Sequence, residues 1–139
     1  MRALPNLIRL RKWTLDEARR KVGDLVALKG TFEEQLAELD DELSREKEAA
    51  RASIDSLATL QGYYGHVRQR RSCLARSIVE VETSIEIARE EASEAYRELK
   101  KFETALEYHQ KRETIEASRR QQIVYDEMAI NMHRRKQSA

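Results

Sequence analysis

Three histidines, one cysteine and a heavy load of carboxylates are the side chains from which this sequence could build chemistry. His66, His109 and His133 lie far apart along the chain and lack the short-spaced cysteine or carboxylate partners that zinc ligation uses. His109, in "EYHQKRE", has Glu107 and Glu113 nearby, but an ordinary helix-surface histidine explains it more simply. Cys73 follows "RQRRS", and a thiol among arginines is a candidate nucleophile. A small space-filling role beside Leu74 is the plainer reading. No glycine-rich phosphate loop is present. Catalysis also requires acid, base or nucleophile groups converging in a concavity, so the elements that would position these side chains decide the matter.

Those elements are written in the composition. Of 139 residues, 40% are apolar and 37% charged, with four glycines and one proline, and mean hydropathy is −0.76. Such a chain cannot bury a thick core; it suits long helices or coiled coils, provided a heptad pattern is present. Basic and acidic residues nearly cancel, 26 against 25, so the whole carries no general attraction for nucleic acid or an anionic membrane. No apolar run approaches the ~20 residues of a membrane span, and Pro5, Asn6 and Arg9 stand where a signal peptide would place its apolar core. With a single cysteine, the expectation is a cytosolic, reducing compartment.

The heptad is present. One set of positions reads Ile8, Leu15, Val22, Lys29, Leu36, Leu43, Ala50, Leu57, Tyr64; its partner set reads Leu4, Arg11, Ala18, Leu25, Phe32, Leu39, Glu46, Ser53, Leu60, Val67. Only Lys29, Arg11, Glu46 and Ser53 are polar. A spacing of about 3.5 residues sustained this long keeps one stripe toward a partner helix. Pro5 suits a first helical turn, and Gly23 and Gly30 fall one residue off the stripe. A second seam follows in Val67, Leu74, Val81, Ala88, Ala95, Phe102 with Arg71, Ile78, Ile85, Ala92, Leu99, Leu106, in which only Arg71 is polar.

"LQGYYGH" brings Gly62 and Gly65 together and is the strongest candidate for a reversal. The expected fold is therefore all-α: a single domain over 1–139, with helix 1 over about 4–61, a turn at 62–65 and helix 2 over about 66–134. Two striped arms joined by a short turn bury their stripes most economically against each other, as an antiparallel two-helix coiled-coil hairpin, a rod without a pocket. The expectation is accordingly no catalytic residue, no cofactor, no metal and no small-molecule substrate. A continuous helix dimerising in trans remains an alternative, as does a hairpin that dimerises further.

Folding at 62–65 would lay the acidic blocks 33–48 and 80–98 side by side, tolerable only with the carboxylates facing water. Residues 2–21 and 111–136 are basic. Nucleic-acid binding through them lacks any stacking platform or known module. The same ends hold apolar residues beyond the seam's needs: Leu7, Leu10 and Trp13 in "LIRLRKWTLDEARRK", and Ile123, Val124, Tyr125, Met128, Ile130 and Met132 in "QQIVYDEMAINM". Apolar surface rimmed with arginine is the usual composition of a protein interface, although a locally wider core would bury it too.

Three blocks, "LPNLIRLRKWTLDEARRK", "YYGHVRQRRSCLARSIVEVE" and "YRELKKFETALEYHQKRETIEASRRQQIVYDEMA", in this order and spacing, resemble the flagellar export protein FliJ family in its alphaproteobacterial form. The resemblance implies a non-enzymatic coiled-coil stalk of the flagellar type III export apparatus, required for flagellum biogenesis and motility. In that family one end docks in the hexameric export ATPase, another region contacts the cytoplasmic part of the membrane export gate, and export chaperones are engaged. Carried onto this chain, the resemblance makes Leu7, Leu10, Trp13, Tyr125, Met128 and Met132 ATPase-facing, with Arg9, Arg11 and Arg134 as their rim. It makes Tyr63, Tyr64, Val67 and Leu74 gate-facing. The implied location is the cytoplasmic face of the inner membrane at the flagellar base. A stalk of a virulence secretion system, a nucleic-acid-binding coiled coil and a cytoskeletal tether are the competing readings.

Overall fold

A computed structural model describes residues 3–51 and 54–138, without the side chains of 54–58. Two helices, α1 (Ala3–Ala50) and α2 (Ile54–Ser138), hold nearly all of them, and no strand occurs among the described residues. The helices pack together, as an all-α helical hairpin requires. The packing forms two compact units, Trp13–Tyr96, and Met1–Lys12 with Arg97–Ala139.

Within Trp13–Tyr96 the two helices run antiparallel. Lys21 meets Glu91 at 3.2 Å, Lys29 meets Glu82 at 3.3 Å, Asp40 meets Arg71 at 3.4 Å, and Lys47 lies 5.4 Å from the Tyr64 ring centroid. The partner number falls as the first number rises, which fixes both direction and register. Leu15, Ala50, Val67, Leu74, Val81, Ile85 and Ala88 are buried between the helices, and Val22, Leu25, Phe32, Leu36, Leu39 and Leu43 are half-buried. These are the heptad positions. Each leucine, isoleucine, valine or phenylalanine contributes up to roughly 1.5–3 kcal/mol and each alanine less, reduced where water reaches one side. Among the described residues no large side chain is fully buried, as expected of a seam one residue thick. Glu46 and Arg71, the charged heptad residues near the reversal, turn to solvent instead. Seam position Ser53 and the side chain of Leu57 lie outside the described residues.

The reversal is not at 62–65. α1 ends at Ala50, Arg51 follows in a turn with its N–H donating to the Glu48 carbonyl at 3.3 Å, and α2 starts at Ile54 and continues beyond 134 to Ser138. Gly62 and Gly65 sit inside α2, with no glycine at positive φ. Each costs a helix roughly 1 kcal/mol relative to alanine, a penalty that the packing of Tyr64 and Val67 outweighs.

This displacement changes the electrostatics. The acidic blocks do not face each other: in the observed register 33–48 lies along the stretch holding Arg68, Arg70, Arg71 and Arg76, and the acidic stretch from Glu80 onward lies along Arg19, Lys21 and Lys29. The expected repulsion is replaced by complementarity.

In Met1–Lys12 with Arg97–Ala139, Ile8 and Leu99 are buried, and Arg11 stacks over Phe102 with its guanidinium carbon 5.5 Å from the ring centroid. Arg11 occupies a seam position, and its Nε is buried without a hydrogen-bond partner; the ring face is what receives the cation. Beyond residue 110, α2 is exposed at every described position.

Candidate partner-binding surfaces

The basic, apolar residues expected to face a partner at the chain ends separate into distinct places. Leu7, Arg9 and Leu10 lie exposed on the first turns of α1, Leu7 at 37% and Leu10 at 53%, while Arg11 is drawn into the seam over Phe102. Trp13 belongs to the other compact unit and is 63% exposed. Tyr125, Met128, Met132 and Arg134 lie on the stretch of α2 that no other described residue covers. With Arg11 opposite Phe102, α1 runs out near residue 109, so Leu7 and Tyr125 are separated along the helix axis by on the order of 30 Å. The structure does not bring these two groups together into one plug.

Two separate apolar surfaces result. The larger runs along α2, where Val124, Tyr125, Met128 and Met132 are each more than half exposed, and Ala117, Arg120, Gln121, Val124, Tyr125 and Met128 line a shallow depression. Ala117 and Gln121 escaped the sequence reading. Their signal is the 4-3-4 spacing Ala117, Gln121, Val124, Met128, a heptad stripe out of register with the one that fades after Leu106.

Of the residues assigned to a gate contact, two are not surface groups at all. Val67 is 2% exposed and Leu74 3%, both packed in the seam. Tyr63 and Tyr64 are half-buried beside it: the Tyr63 hydroxyl donates to Glu42 Oε2 at 3.4 Å, and Tyr64 carries Lys47 over its ring. Partial burial, together with the Glu42 carboxylate, pushes the Tyr63 phenol above its ordinary value. A phenolate here would lose its hydrogen bond and face a like charge.

His109 Nε2 sits 3.1 Å from Glu113 Oε1, a single i,i+4 surface pair. Cys73 is exposed, not a filler within the seam as expected. Among the described residues no group of three histidine, cysteine or acidic side chains gathers as a metal site would need, and no helix is long and apolar enough to cross a membrane.

Comparison with known proteins finds one family over nearly the whole chain: the model described as Flagellar FliJ protein matches residues 1–138. No curated protein matches, and no solved structure does.

Proposed function

The chain belongs to the FliJ family of flagellar export proteins, and from that premise we propose that it is a coupling stalk between the export ATPase ring and the membrane export gate. It works without catalysis, in the cytoplasm at the flagellar base, and engages export chaperones; its kinship is with the alphaproteobacterial form. The observation that carries this reading is the exposed apolar stretch of α2 after residue 110, bordered by Arg120, Arg134 and Arg135. A bare helix with that composition suits a helix-lined protein cavity, where aromatic, methionine and arginine side chains dominate binding.

ATPase contact is assigned to Tyr125, Met128, Met132 and Arg134 as the main surface. Leu7, Arg9 and Leu10 form a second, Trp13 is assigned to it by its exposure alone, as part of the other unit, and Arg11 acts by holding α1 on Phe102. Gate contact rests on Tyr63 and Tyr64, because Val67 and Leu74 are engaged in the seam.

The test is association with the purified export ATPase. Met128→Ala and Trp13→Ala should each weaken it, roughly tenfold if they are anchor residues, with helicity by circular dichroism unchanged. Equal affinity for wild type and both variants would reject the ATPase assignment.

A further inference from the structure

We propose that the uncovered stretch of α2 also pairs with the same stretch of a second copy of this chain, antiparallel, about a two-fold axis passing between residues 123 and 124. The inference goes beyond the stalk reading and stands independently of it.

The first support is continuity with an existing interface. At about 100° per residue, Ala117, Gln121, Val124, Tyr125, Met128 and Met132 fall in a single arc of roughly 100°. That arc continues the side of α2 that Leu99 and Phe102 present to α1. From Lys111 onward nothing described takes the place of α1, and the apolar members of the stripe remain more than half exposed wherever they are large. The 4-3-4 spacing of Ala117, Gln121, Val124 and Met128 is that of a left-handed helix pair, in which every seventh residue keeps to one edge of the contact.

The second support is the charge pattern, which selects the occupant. Along one edge of the stripe, every seventh residue is charged with alternating sign: Glu113, Arg120, Glu127, Arg134. Reversed, this order becomes its own complement. In the antiparallel pair Glu113 meets Arg134 of the second copy and Arg120 meets its Glu127, and each contact occurs twice by symmetry. The opposite edge carries Ser118, Tyr125 and Met132, so a parallel pair would set the charged edge against uncharged residues and form no such contacts. The existing partners do not obstruct this. Glu113 holds His109 at 3.1 Å, and Arg120 spends only its Nε on the Glu116 carbonyl, at 3.4 Å. Arg112 and Arg119, which add to the segment's positive charge, lie on the far side of the helix.

A contact of this length is small and rim-paired, so the dimer is weak, with a dissociation constant on the order of 10–100 µM. It covers the stripe when no other partner does, and it dissociates to expose it.

Sedimentation equilibrium of the full chain tests this. The wild type should show a reversible monomer–dimer equilibrium. Arg120→Glu, which sets glutamate against Glu127 at two symmetric places, should weaken it roughly tenfold. The exchange Arg120→Glu/Glu127→Arg restores opposite signs and should restore wild-type association. Circular dichroism confirms equal helicity in all three. A chain that stays monomeric to roughly ten times the expected dissociation constant overturns the proposal, leaving the stripe to a different protein. Dimers equally tight in all three forms overturn it too, since the contact would then lie elsewhere or run parallel.

Discussion

Asp40 and Arg71 face each other across the two helices, Oδ1 to Nη1 at 3.4 Å. Arg71 is the one polar residue in the second heptad seam, and Asp40 comes from the most acidic part of α1. With Lys21–Glu91 and Lys29–Glu82, this pair sets the register by charge as the apolar stripe sets it by shape. Both side chains are about half exposed, so the pair's net contribution is small, under about 1 kcal/mol. Arg71→Glu should lower the thermal midpoint slightly in dilute buffer. The difference should shrink as salt is raised, which melting curves at two ionic strengths would show.

Gly62→Ala and Gly65→Ala should stabilise the chain, each by roughly 0.5–1 kcal/mol. Both glycines are helical, and a Cβ added at either meets nothing within 4 Å. In a turn with positive φ the same changes would destabilise. Urea unfolding of the two variants therefore distinguishes a reversal at Ala50–Ile54 from one at 62–65.

Leu74→Ala removes a side chain that is only 3% exposed in a seam with little else to fill the space. A loss of about 2–3 kcal/mol is expected, at the lower end for buried leucines because the open side of the seam can admit water. If export function falls with this variant, the fall should track the unfolded fraction, unlike the effect of an altered gate surface.

Tyr63 should ionise above the ordinary tyrosine value. Its folded-state pKa is raised from 10.0 by partial burial and by Glu42, so its protonated form is favoured by folding. The associated stability is complete below pH 10 and is lost as pH rises through the higher folded value. Phenolate absorbance of wild type against Tyr63→Phe isolates this titration, and Glu42→Gln should bring it down toward the ordinary value.

Trp13 is the sole tryptophan, 63% exposed. Its fluorescence in the free chain should be that of a water-exposed indole and readily quenched by acrylamide. Adding the export ATPase should blue-shift and protect it if the α1 surface is engaged.

The seam was almost wholly legible in the sequence because a heptad records burial directly: Ile8, Leu15, Val67, Leu74, Val81 and Leu99 were all marked by spacing alone. Two close glycines signal a reversal at 62–65, but the apolar pattern continues across them and the helix follows the pattern. Leu60, Tyr64 and Val67 keep the stripe running straight through Gly62 and Gly65, and that continuity was the better guide. Arg51, the described turn residue that follows α1, is neither glycine nor proline and so gives no turn signal of its own. One misplaced turn then propagates. It pairs the acidic blocks with each other and sets Tyr125 level with about residue 2, near Leu7 and Leu10.

The long unaccompanied end of α2 also has a kinetic meaning. From Lys111 to Ser138 the backbone hydrogen bonds have only the helix itself to protect them, and most helical stability in proteins comes from packing that this stretch lacks. Amide protons there should exchange with solvent orders of magnitude faster than those flanking Leu74 or Val81, in a gradient that steepens where α1 runs out. Whatever binds this end acts as its missing second strand, and slowed deuterium uptake from Lys111 onward would record that encounter residue by residue.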